Sequence, residues 1–190
     1  MIPFRVQTLF ALLPLSCCLV SGLAFAQPPI PFIEHGSCPF EGCQFGQWIT
    51  QTPLRAYAQE GDTSHVSFTL QPADTFTALT GNLHIERPGL VLVRRDQGQY
   101  RRGDTVYVLS YSGEGFHNIW HRGEERNVEA FWHSEGDSTE TFAEIVRQPV
   151  MFWWVNVLSR QGQKGWLCLL NTSPGGFGIN ERIRGMDYLE

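Results

Sequence analysis

The apolar residues of this chain come in short alternating runs closed off by Gly and Pro, and that pattern limits the fold more than anything else in the sequence. Val66, Phe68 and Leu70 alternate, Phe76 and Ala78 follow, and Leu83, Ile85 and Leu90-Val-Leu-Val93 come next. Gln71-Pro-Ala-Asp74, Gly81 and Arg87-Pro-Gly89 break the series. A period of two puts every second side chain on one face of a strand, whereas an amphipathic helix needs a period near 3.6. A second series opens with Thr105-Val-Tyr-Val-Leu-Ser-Tyr111, turns at Gly113-Glu-Gly115 and continues through Phe116 to Trp120. Val128 to Trp132 adds a possible strand, and Thr141 to Arg147 reads equally as strand or short helix. Met151 to Leu158 and Gly165 to Leu170 are the clearest strands, joined by the polar Ser159-Arg-Gln-Gly-Gln-Lys164, which has the length of a hairpin loop. The chain reads as mainly β.

With 42% hydrophobic residues in 190, the chain has enough apolar material for a core. Fourteen Lys and Arg stand against 19 Asp and Glu, a net charge of −5, which argues against a phosphate-binding surface or a polybasic anchor. Nucleic acid is not an expected partner, and neither is stable membrane insertion.

The amino terminus carries one positive charge at Arg5, an apolar stretch from Val6 to Val20, and Ala24-Phe-Ala26. This is the layout of a secretory signal, residues 1–26, cut after Ala26. The apolar stretch is interrupted by Pro14 and Ser16 and is short for a membrane span of about 20 residues. A lipoprotein signal would want a small residue where Cys17 precedes Cys18. Cleavage leaves 164 residues, the charge of −6 following from the loss of Arg5 alone. The expected location is periplasmic or extracellular.

Three cysteines then remain. Cys38-Pro-Phe-Glu-Gly-Cys43 closes a small loop, and an oxidising compartment favours a Cys38–Cys43 disulfide. The rivals are free thiols and a metal site with His35, which would lack a fourth ligand. Cys168, inside an apolar run, reads as a buried free thiol.

Three segments, Gly103-Asp-Thr-Val-Tyr-Val-Leu109, Trp153-Trp-Val-Asn-Val157 and Gly162-Gln-Lys-Gly-Trp-Leu167, resemble the Src-homology-3-like domains, in particular the bacterial extracytoplasmic ones. The likeness covers Tyr100 to Leu170, and Phe45 to Arg95 looks like a looser first copy. It implies two small β-barrel lobes packed together; with Gln27-Pro-Pro-Ile-Pro-Phe32 too proline-rich for a helix and the polar cluster Arg94 to Arg102 as a boundary, the chain divides into an extended leader with the Cys loop at 27–44, a first lobe at 45–98, a second at 99–172 with a long hairpin insertion, and a tail at 173–190. Leu109 and Trp153 stand farther apart than the corresponding strands of the family.

No Ser or Cys with a nearby His and acid forms a legible triad, so no catalytic residue is assigned and no enzyme is expected. His117 and His121 would be about 13 Å apart along one face of a strand, too far for one ion, so no metal or cofactor is expected. Glu114, Glu124 and Glu125 read as turn and surface charge. The remaining lead is aromatic. On Met151 to Leu158, one face is Met, Trp153, Val and Val; the other is Phe, Trp154, Asn and Leu. Alternation sends Trp153 inward and leaves Trp154 on the mixed face, as a ligand contact, with Tyr111 as a second. The resemblance points the other way, because the first Trp of the pair contacts ligand in eukaryotic members. The expected function is an exported, non-catalytic binding module for a peptide or cell-wall glycopeptide. The alternative is a scaffold that binds another envelope protein, and a cell-wall hydrolase comes third.

Overall fold

A computed structural model describes residues 27–134, 142–171 and 182–186. The expected signal, the polar segment after Ser134 and most of the 173–190 tail lie outside them. The described residues form strands and no helix, as the period-two pattern requires, and none of their elements is a helix long and apolar enough to cross a membrane.

Seven strands pair in the order β14 (Ile183–Arg184), β2 (Gly46–Thr50), β5 (Thr75–Arg87), β12 (Val150–Ser159), β13 (Lys164–Asn171), β3 (Leu54–Gln59) and β4 (Asp62–Leu70). An eighth strand, β1 (Phe32–His35), also pairs with β5. The 13 residues of β5 give it the length to hold β2 along its first half and β1 along its second, on one edge, while β12 runs along the other. The second sheet has six strands, β10 (His133–Ser134), β11 (Ala143–Arg147), β6 (Gly89–Val93), β7 (Thr105–Gly113), β8 (Phe116–His121) and β9 (Glu124–Glu129), in that order. Neither sheet closes into a barrel among the described residues.

The second sheet is an excursion from the first. The chain leaves β5 at Arg87 and returns in β12 at Val150, and these two residues are paired. Gly89 sits where the chain turns off; a Cβ there would lie 3.0 Å from Val108 and 3.2 Å from the Arg147 carbonyl. Position 98, the expected lobe boundary, falls between β6 and β7, inside the second sheet. The segments that carry the family resemblance are likewise divided, Gly103 to Leu109 in one sheet and Trp153 to Leu167 in the other.

Each sheet has its own core. Trp48, Phe76, Leu83, Ile85, Trp153 and Val155 are fully or almost fully buried in the first, and Val91, Val106 and Ile119 are fully buried in the second. Burying six such side chains contributes on the order of 10 kcal/mol before entropy is counted. The Trp153 Nε1–H donates to the Ser37 carbonyl at 2.9 Å, so the largest buried ring is left with no unsatisfied donor. Gly81 makes room for it, since a Cβ at that position would overlap Nε1.

The amino-terminal segment joins the two sheets. Glu34 of β1 accepts hydrogen bonds from the Ser110 hydroxyl of β7 at 2.6 Å and from the Asn118 amide of β8 at 3.2 Å. Phe32 meets the Trp120 ring edge-on at 6.3 Å. Cys38 and Cys43 are paired as a disulfide with Cα atoms 6.0 Å apart, and their loop extends this bridge.

Candidate functional site

Where β5 turns into β6, three segments surround a cleft of about 390 Å³. Its floor follows from strand register. Arg147 pairs with Leu90, and Leu90 pairs with Tyr107, so β11, β6 and β7 place these three side chains in one row. Thr105 lies two residues from Tyr107, on the same face. Glu86, Arg87 and Pro88 line the second side, and Gln27, Pro28 and Ile30 of the extended leader line the third. The Pro88 carbonyl accepts hydrogen bonds from Arg147 at 3.2 and 3.3 Å, which fixes the root of that guanidinium group.

The cleft combines a low apolar wall with charge. Pro28, Pro88, Leu90 and Tyr107 supply the wall, while Arg87, Arg147 and Glu86 bring charge to the rim, a net +1 in a chain of net −5. Among the described residues none of these three charged groups belongs to an ion pair. Pockets for small ligands begin at roughly 300 Å³, and this open cleft, with polar and apolar lining in about equal parts, has that volume.

The two aromatic residues expected to contact ligand lie elsewhere, in surroundings that share no residue. Trp154 does point away from Trp153, as alternation requires, but it is not open to solvent: 4% of its surface is exposed. Pairing in the β3–β4 hairpin is irregular at Tyr57, and the Tyr57 ring lies against Trp154. Tyr57 stands edge-on to Trp154 at 6.0 Å and His84 lies at 6.2 Å. Glu60 bonds the His84 ring at 2.5 Å and accepts both Asn82 amide contacts at 2.8 and 2.9 Å. Every member of that cluster has a partner. Nothing in β12 signals that a hairpin eight strands back in the sequence lies against its mixed face.

Tyr111 is half-buried, and its hydroxyl is engaged. It donates to Glu41 at 2.5 Å, and its ring meets His117 edge-on at 5.3 Å. The neighbouring Glu41 carboxylate pushes the Tyr111 hydroxyl above its ordinary value, and the same bond, with the Glu114 N–H, holds Glu41 below its own. Tyr111 thus ties the disulfide loop to the second sheet.

The two histidines of β8 point to separate surroundings. His121 is buried, with Nε2 at 3.2 Å from Asp104, and His117 lies between Tyr111 and Trp132. Among the described residues no three of His, Cys, Asp and Glu gather to hold a metal ion. Burial pushes the free Cys168 thiol up to about 11, so it stays protonated near neutral pH.

Arg87, Leu90, Tyr107 and Arg147 are the residues the sequence did not single out. Arg87-Pro-Gly89 reads as a turn, and Arg147 ends a segment of ambiguous type. The pairing of β11 with β6, across more than 50 residues of chain, and of β6 with β7 brings the last three together beside the end of β5. No protein-family model matches this chain, and no curated protein or solved structure is detectably similar to it.

Proposed function

We propose that this chain is an exported, non-catalytic binding module whose ligand, a peptide or a cell-wall glycopeptide component, seats in the cleft between the two sheets. The observation that carries the reading is the cleft itself: about 390 Å³, apolar on its wall and charged on its rim, with two guanidinium groups that join no ion pair among the described residues. The reading of non-catalysis draws support from Cys168, the one free thiol among the described residues, which burial holds protonated. Export rests on residues 1–26 and is in keeping with the Cys38–Cys43 disulfide.

The kinship with Src-homology-3-like domains remains part of the proposal. What supports it is the second sheet, where β6 to β9 follow one another as antiparallel neighbours and β11 returns beside β6.

The test is equilibrium binding of the protein beginning at Gln27 to soluble peptide fragments released from cell walls, beside a Thr105→Trp variant that fills the cleft. Saturable binding lost in the variant supports the module. Binding only to another envelope protein, with no fragment bound, favours the scaffold alternative.

A further inference from the structure

We infer that the cleft is selective for a carboxylate, and that its ligand is a short peptide bound through its free carboxyl terminus. This rests on the reading of the cleft as the binding site and adds the chemical class of what enters it.

The argument starts from charge. The chain is acidic overall, yet two guanidinium groups, Arg87 and Arg147, border one small concavity, against a single carboxylate, Glu86. Three other arginines of the described residues are matched with carboxylates: Arg94 with Glu144, Arg122 with Asp104, Arg126 with Glu124. Arg87 and Arg147 have no such partner. A guanidinium group left without an anion at the edge of a low-dielectric cleft attracts one, and its planar fork fits a carboxylate with two parallel N–H···O bonds.

Arg147 is held for this role. Its contacts to the Pro88 carbonyl use Nε and one terminal nitrogen, which leaves the other terminal nitrogen available. Arg87 is exposed and unanchored, and so can close on a ligand. Beneath them, Leu90 and Tyr107 offer an apolar floor to the last side chain of a peptide, and the Tyr107 and Thr105 hydroxyls can bond its backbone. At about 30 Å³ for each water, the volume holds roughly a dozen waters, or an N-acetylated dipeptide. A glycan ring without a carboxylate would leave both arginines unanswered.

The experiment is calorimetric titration of the protein beginning at Gln27 with N-acetylated dipeptides ending in Ala, Leu or Phe. Each is used as the free acid and as the carboxyl-terminal amide, at low and at moderate salt. At least one free acid should bind, its amide about tenfold or more weaker, and added salt should weaken the acid alone. Arg87→Gln should lose the preference for acid over amide while melting like the wild type, because among the described residues no hydrogen bond or ion pair depends on that side chain. Arg87→Lys, which keeps charge but not the fork, should fall between. Equal binding of acid and amide, or a preference that survives both Arg87→Gln and Arg147→Gln, overturns the inference and leaves the binding module standing. If no dipeptide in either form binds the wild type, both this inference and the cleft as a peptide site fall.

Discussion

The Glu41 carboxylate accepts a hydrogen bond from the Tyr111 hydroxyl at 2.5 Å, so one of the four residues between the disulfide cysteines is bonded to a strand of the other sheet. The Glu114 N–H donates to the same carboxylate. Four residues earlier, the Ser37 carbonyl takes the Trp153 indole N–H inside the first core. One short loop therefore touches both sheets, and the disulfide limits the conformations that loop can take. Replacing Cys38 and Cys43 together with Ser should cost about 2 kcal/mol, since a six-residue loop loses little entropy on closure. Denaturant titration of the double variant measures this, and an unchanged midpoint would show that the loop needs no cross-link. Alkylation in denaturant without reduction should modify one thiol per chain in protein beginning at Gln27, that of Cys168.

The Trp pair is expected to behave as two core residues. Trp153 has no exposed surface and Trp154 has 4%, and their neighbours lie on opposite faces of β12. Truncating either to Ala should destabilise the protein by about 3 to 5 kcal/mol, the usual range for a buried Trp. Chemical denaturation separates this from the alternative, in which Trp154→Ala melts like the wild type because the hairpin tip leaves the ring accessible in solution.

Acid should weaken the fold in two steps. Burial pushes both His117 and His121 below the ordinary histidine value of 6.5. For His121 the opposing pull of Asp104 does not overcome it, and Arg122 and Arg126 add to the lowering. Its Nδ1 is buried without a hydrogen-bond partner, so protonation there would bury an unmatched N–H. The unfolded chain takes up these protons near pH 6.5 and the native chain resists them, so stability is full above that value and falls as pH drops below it. Asp104 supplies the second step. Burial alone would raise it, but the Arg101 N–H, Arg122 and His121 outweigh burial and hold it below 3.8. Its contribution is present above that value and is lost below it. Melting temperature should be flat from pH 8 to pH 7, fall below about 6.5 and fall again below about 4. His121→Gln should flatten the first step, and an unaltered slope in that variant would contradict the assignment.

Cleavage after Ala26 would place the new amino terminus on Gln27, which lines the cleft. Sequencing the exported protein should begin at Gln27, directly or as its cyclised form. Recovery of Met1, or of a lipid-modified Cys17 or Cys18, would contradict export by this route.

What the sequence made legible follows from how far each signal reaches. Alternation is local, so the β class, the inward turn of Trp153 and the hairpin between β12 and β13 could all be read from runs of a few residues. The Cys38–Cys43 loop was equally local. Pairing is not local. That β12 lies beside β5, with residues 89–147 forming their own sheet between them, depends on contacts no short window contains, and the expected barrels and the boundary at 98 were drawn without it. The same limit explains the site. Alternation turns Trp154 away from Trp153, but its neighbours Tyr57 and His84 come from distant strands. Arg87 and Arg147 were passed over because each, in its own segment, is an ordinary charge beside a turn.

The most direct test of the cleft as the binding site is amide chemical-shift mapping of the isotopically labelled protein as cell-wall peptide fragments are added. Perturbations should concentrate at Leu90, Thr105, Tyr107 and Arg147 and saturate together. Saturating shifts confined to the outer face, at Tyr57, Trp154 and Trp166, with those four amides unmoved, would contradict it.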